Sequence, residues 1–217
     1  MIIVIQCAAT KRPNAGHLVT TIGKPVNFVA DPESAPVNPA CVYARPDDLS
    51  DGGVSWRRAL LAYNEAPREN PLGLYPAYLL YQNRVYERLI DKYRAGNVYI
   101  LSAGWGLIRA DFLTPHYDIT FSPSADYYKR RKRMDQYQHF NMLMNDTDQV
   151  IVFFGGKDYL SLFDKLTGAI RSQKIVFFNS SSPPRLNRCT LRRFETATRT
   201  NWHYECANAV IDGMIRI

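Results

Sequence analysis

Asp118 stands in the stretch Pro115-His116-Tyr117-Asp118, a short way past Ser102-Ala103-Gly104-Trp105-Gly106. A carboxylate in such a stretch can stabilise or attack an oxocarbenium-like centre when a glycosidic bond breaks, or it can activate a water. The competing reading is that Asp118 ties down the loop while Tyr117 packs beneath it. Around it, Ser102 can donate a hydrogen bond, Trp105 can stack on a base or sugar, and Arg109 can meet a phosphate. Gly104 and Gly106 would let the backbone approach a ligand closely or adopt positive φ.

Two further stretches carry similar potential. "QCAATKRP" places Gln6, Cys7 and Lys11 just after an apolar run. Gln6 has both a donor and an acceptor and can read an amide-like edge, and Lys11 can meet a phosphate; a strand end followed by a solvated turn would look the same. "FFGGKDY" places two glycines before Lys157 and Tyr159. That arrangement suits either a phosphate at a helix N-terminus or a plain strand-to-helix turn, and it is not a GxxxxGK[ST] loop. Lys11 and Lys157 are also amines that could form a Schiff base.

Net charge adds a third kind of signal. The 217 residues carry 27 Lys and Arg against 20 Asp and Glu, a formal charge of +7, and basic surfaces attract phosphates. Lys129, Arg130, Arg131, Lys132 and Arg133 form an unbroken run beside Tyr127, Tyr128 and Tyr137. Arg185, Arg188, Arg192, Arg193 and Arg199 form a later cluster with Glu195 inside it. With tyrosines supplying stacking faces, both groups are expected to contact a nucleic-acid backbone.

Those residues need elements to hold them. Short β-rich apolar runs at 2–5, 98–101, 150–154 and 175–178 read as buried parallel strands. Helical patterns cover 78–93, 125–144 (capped by Ser122 or Ser124), 160–170 and 202–215. Alternating strands and helices predict a three-layer α/β/α domain with a mostly parallel central sheet of four or more strands. One domain over 1–217 suits the length. Residues 12–70 break the pattern with Pro13, Pro25, Pro32, Pro36, Pro39 and Pro46. They are too apolar for a linker and are expected to lie, as an irregular insertion, over the sheet edge or over the site. Ligands of open α/β sheets sit beyond the carboxyl ends of the strands, so the loops after the four strands should converge on one site.

Several classes are set aside. No run of about 18 apolar residues suggests a membrane span, and the N-terminus lacks the pattern of a signal peptide, which points to the cytoplasm. The four cysteines show no CxxC spacing and are expected to be free thiols. GxGxxG, HExxH, GxSxG and DxD are all missing from the sequence, and no metal or cofactor is expected.

Cys7 with Lys11, "LYPAYLLYQNRVYERL", "YILSAGWGLI", "PHYDITF" and "VIVFFGGKDYLSLF" together resemble a family of small bacterial and phage proteins with a YaaA-like domain. The likeness covers most of residues 1–10 and 72–165. It implies a DNA-associated protein with a uracil-DNA-glycosylase-type α/β fold, in some relatives tied to modified bases or to defence against phages. It marks Ser102, Gly106, Tyr117, Asp118, Lys157 and Tyr159. The chain departs from uracil-DNA glycosylases in lacking their GxDPYH and HPSPLS loops, and it has no clear helix-hairpin-helix.

The resulting expectation is a DNA N-glycosylase for a modified base, acting in antiphage defence. The target nucleotide would be flipped into the pocket, with Asp118 and Ser102 at the chemistry. Gln6, Cys7, Lys11, Gly104, Trp105, Gly106, Tyr117, Lys157 and Tyr159 would surround the nucleotide, and the basic residues and Arg109 would hold the DNA. The alternatives are a DNA-binding stress protein without catalysis and an enzyme of free nucleosides or nucleotides.

Overall fold

The computed structural model describes residues 1–66, 69–132 and 134–217. Its centre is a seven-stranded sheet of β1 (Ile2–Gln6), β2 (Val98–Ser102), β3 (Gly106–Arg109), β4 (Phe140–Asn141), β5 (Ile151–Phe154), β6 (Lys174–Phe178) and β7 (Cys189–Arg193). The order is β7-β6-β5-β1-β2-β3-β4. β7, β6, β5, β1 and β2 run parallel, while β3 returns antiparallel to β2 and β4 runs with β3. The four expected strands are present, and β1, β2, β5 and the first four residues of β6 are buried almost throughout. Burial on both faces explains their unbroken apolar runs.

Among the described residues five α-helices accompany the sheet: α1 (Trp56–Glu65), α2 (Ala77–Leu80), α3 (Val85–Tyr93), α4 (Lys157–Thr167) and α5 (Trp202–Ile211). α3 and α5 pack on each other, and α4 packs against β2 and β3, which gives the three-layer α/β/α arrangement. The helix expected over 78–93 is broken into α2 and α3. Tyr81 is extended there, and the Asn83 side chain accepts from the Val85 N–H to start α3 afresh.

The helix expected over 125–144 does not form. Tyr127–Lys129 is a single 3-10 turn, and Phe140–Asn141 is the edge strand β4. Ser122 and Ser124 hydrogen-bond each other at 2.9 Å instead of capping. The segment is held by tertiary bonds: Thr120 N–H donates to the Lys129 carbonyl, and Arg131 N–H donates to the Thr120 carbonyl.

The described part of the proline-rich insertion is folded. Val26–Phe28 pairs with Val42–Ala44, and Phe28, Trp56 and Leu60 are buried. Phe28 meets Trp105 edge-on at 5.0 Å, so the insertion covers the turn between β2 and β3. None of its described residues lines the cleft at the carboxyl ends of the strands. No helix among the described residues is long and apolar enough to cross a membrane.

Candidate functional site

β1 and β5 are neighbours in space, but their chain connections run to opposite sides of the sheet. Such a reversal opens a crevice at the strands' carboxyl ends. A cleft of about 740 Å³ lies there, within the size range of small-ligand sites. The loops after β1, β5 and β6 and the start of α5 line it, through Cys7, Gly156, Tyr159, Asn179, Arg199 and Asn201 among others. The expected convergence of loops therefore occurs for three of the four strands.

Gln6 closes the bottom. Its Oε1 accepts from the Gly156 N–H at 2.6 Å, at the N-cap of α4. This bond occupies the oxygen that was expected to read a base edge. Lys157 begins α4 and is exposed, and its neighbour Gly156 faces the cleft. Helix N-termini favour anions. Cys7 and Tyr159 meet across the floor, Sγ to hydroxyl, at 3.2 Å. Burial raises the Tyr159 pKa well above its usual value, with Cys7 adding to the effect, so the phenol stays protonated.

Behind this floor is a hydroxyl cluster. The Tyr81 and Tyr117 hydroxyls share a hydrogen bond of 2.8 Å, and Ser102 Oγ donates to the Tyr117 hydroxyl at 2.9 Å. The break between α2 and α3 aims Tyr81 at this point. Lys11 joins the cluster: its side chain is buried, with Nζ 4.1 Å from the centre of the Tyr117 ring and donating to the Ala9 carbonyl at 3.2 Å. Burial lowers the Lys11 pKa and Lys129 adds to this, while Cys7 and Asp118 act in the opposite direction. His116 is held low too, first by burial, with Asp118 opposing. Asp118 has a side chain 27% exposed, with Oδ2 4.0 Å from Lys129 Nζ. It does not line the cleft itself, although Thr120, two residues on, does. Cys7, Lys11, Tyr117 and Asp118 are thus drawn together from two loops.

The turn after β2 is different from the open loop expected there. Ser102 and Gly106 face each other across a tight β2–β3 hairpin. Ser102 Oγ accepts from the Gly104 and Trp105 N–H groups, at 3.3 and 3.1 Å, so Ser102 is a structural clasp, not a catalytic group facing a ligand. Trp105 is fully buried against Phe28, Phe140 and Tyr117 and offers no stacking face. Tyr117 is fully buried as well, with one face taken by Lys11. Gly106 has φ +96°, and a Cβ there would meet the Phe140 carbonyl at 2.5 Å. A Cβ on Gly104 would press on Ile119 at 3.1 Å. Both glycines serve internal packing and not the approach of a ligand.

The basic residues divide. Arg131 is buried: its Nη1 donates to the Ala103 carbonyl at 2.6 Å, and its guanidinium lies 3.9 Å from the centre of the Tyr137 ring. It is an internal tie and not a DNA contact. Lys129 pairs with Asp126 at 3.0 Å, which with the nearby Asp118 lifts its pKa to about 12. Arg130 donates to the Pro123 carbonyl, and Lys132 donates to the Tyr127 hydroxyl. Arg133 lies outside the described residues. Arg109 pairs with Asp111 opposite Tyr99; because β3 runs backwards, this is the end of the sheet away from the cleft. Arg192 and Arg193 sit on edge strand β7, where Arg192 donates to the Arg216 carbonyl and Arg193 pairs with Glu195. Arg185 and Arg188 are exposed in the turn before β7.

Residues that sequence reasoning missed as cleft walls include Thr120, Thr200, Asn201 and His203. Asn201 directly before the helical run was an available signal, although in the structure it enters α5 from the left-handed region, φ 61°, without a side-chain capping bond. His203 is buried and lowered to about 4 by desolvation, so its imidazole is neutral. Arg57, the other missed residue of consequence, donates to the Gly104 and Trp105 carbonyls at 3.0 and 2.9 Å and pairs with Asp47 at 2.6 Å. All four cysteines are free.

No protein-family model, curated protein or solved structure matches this chain.

Proposed function

We propose that the protein is an N-glycosidic hydrolase acting on a nucleotide within DNA, with a modified base as the leaving group. The observation that carries this reading is the gathering of Cys7, Lys11, Tyr117 and Asp118 beside a nucleotide-sized cleft whose walls include the glycine turn at the start of α4. The Gly155-Gly156-Lys157 turn and Arg199 suit a phosphate. Asp118 suits the stabilisation of positive charge developing at the sugar C1′. A floor of Cys7 and the protonated Tyr159 phenol suits the base. Antiphage defence is the setting implied by the resemblance to YaaA-like proteins.

An abasic-site assay tests the proposal. The protein is incubated with unmodified DNA and with phage DNA carrying glycosylated or otherwise modified bases, followed by alkali and mass spectrometry of released base. Base release from one modified DNA, lost in Asp118→Ala, is the expected result. Release at the wild-type rate by Asp118→Ala would remove Asp118 from the mechanism. Release from no DNA would refute the proposal.

A second reading has its own support. With Arg131 buried and Lys129 paired, the basic run offers less free charge than its sequence suggests, which favours a free nucleotide over a DNA strand. Turnover of free nucleotides, unaffected by replacing Arg130 and Lys132, would establish that reading.

A further inference from the structure

Lys11 is a buried amine with an unusual set of neighbours. Its relative exposure is 8%. Nζ donates to the Ala9 carbonyl and lies over the Tyr117 ring, and among the described residues no carboxylate lies within ion-pairing distance of it. A buried ammonium normally acquires such a partner, because desolvating an unpaired charge is expensive. Two neutral acceptors stand in for it here, and burial favours the uncharged amine. The amine is also held at a useful place. Lys11 bridges to Tyr81, and the next residue, Arg12, donates its N–H to the Leu80 carbonyl. Lys11 does not line the cleft itself and stands directly behind its wall: the carbonyl that Nζ touches belongs to Ala9, which does line it. Lysines become nucleophiles in surroundings of this kind, desolvated and without a counter-ion.

We propose that Lys11 is the nucleophile that attacks C1′ of the bound nucleotide and forms a Schiff base with the sugar. This rests on the base-excision reading and replaces water as the attacking group. The Nζ lone pair forms a bond to C1′, and the C1′–N bond breaks with its electron pair leaving on the base. The proton lost from Nζ ends on the base. The C1′–O4′ bond then opens, O4′ takes a proton from water, and an iminium links Nζ to C1′. Hydrolysis of the iminium returns the free amine and an abasic sugar. Asp118 lies close enough to Lys11 to act on its charge and would stabilise the cationic stages.

Borohydride trapping tests the step. The probe is an oligonucleotide with one abasic site, whose C1′ aldehyde condenses with an amine, releases water and gives the same iminium. Borohydride reduces it to a stable secondary amine. The wild-type protein should gain the mass of one oligonucleotide, mapped by peptide mass spectrometry to Lys11. Lys11→Met should lose at least about tenfold of this trapping while keeping its fold by circular dichroism, because a methionine fits an apolar buried slot; Lys165→Met, exposed on α4 and outside the cleft lining, should trap as the wild type does. Trapping that persists in Lys11→Met, or that maps to another lysine, overturns the proposal. The modified-DNA assay separates its fate from that of the broader reading. If the wild type releases base without trapping and Lys11→Met releases base equally fast, the lysine is refuted and the glycosylase stands. If Lys11 traps but no DNA loses a base, the reactive amine is supported and the glycosylase falls.

Discussion

The loop after β1 and the turn after β2 leave neighbouring parallel strands at the same end of the sheet, tied where Cys7 N–H donates to the Leu101 carbonyl. They have been put to opposite uses. In the turn after β2, Ser102 Oγ serves two N–H groups, Arg131 serves the Ala103 carbonyl, and Arg57 serves those of Gly104 and Trp105. In the loop after β1, Cys7 faces a cleft and Lys11 is buried without a carboxylate. These bonds leave the backbone groups of the turn nothing for a ligand, and the one indole N–H without a partner, that of Trp105, is enclosed away from the cleft. Incomplete satisfaction leaves the loop less stable than it could be and leaves its side chains available for chemistry.

Substitutions should separate the two regions, first by stability. Trp105→Ala removes a fully buried indole packed against three aromatic rings and should cost about 4 kcal/mol. Urea unfolding measures it, and a loss under about 1 kcal/mol would contradict the packing of the hairpin.

Arg131→Met strands the Ala103 carbonyl in the interior and should cost about 2 kcal/mol. It should leave affinity for DNA unchanged in the fraction that is folded. Weaker DNA binding by a fully folded Arg131→Met protein would return this arginine to the surface.

Lys11→Met should be neutral or stabilising by about 1 kcal/mol, since it removes an amine buried without a counter-ion. The pH dependence carries a definite sign. The folded Lys11 pKa lies below 10.5, so between the two values the unfolded chain binds more protons and wild-type stability rises with pH. The penalty is fully present below the folded pKa and fades as pH climbs towards 10.5. The stability of the wild type relative to Lys11→Met should therefore increase over that interval. A difference that stays flat up to pH 10.5 would show that the amine is not desolvated.

The smallest effects belong to the cleft rim. Lys157→Ala and Arg199→Ala should each weaken DNA binding a few-fold and lower the salt slope by about 1, with little change in unfolding. Equal losses from Arg109→Ala, at the far end of the sheet, would mean that binding does not centre on the cleft.

Much of the scaffold was legible from local chemistry. Strands buried on both faces must be apolar throughout, so β1, β2, β5 and β6 announced themselves, and α4 and α5 followed from helical spacing. The reversal at β3 was hidden, because Leu107 and Ile108 continue the apolar run of β2 and only the turn between them reverses the chain. The segment 125–144 misled because Lys, Arg, Met and Gln favour helices. Its backbone instead bonds to Thr120, and Arg131 turns inward, and no local propensity reports either.

The candidate site divides along the same line. Residue types and their place after β1 and β5 marked Gln6, Cys7, Lys11, Lys157 and Tyr159 by sequence alone, since loops at the carboxyl ends of parallel strands must meet. Burial is a property of the whole packed chain. Only the tertiary structure determined that Trp105, Ser102 and Arg131 are enclosed, that Arg109 lies at the other end, and that Lys11 is desolvated against Tyr117. Those outcomes depend on which distant segments, from Phe28 to Phe140, arrive to cover them.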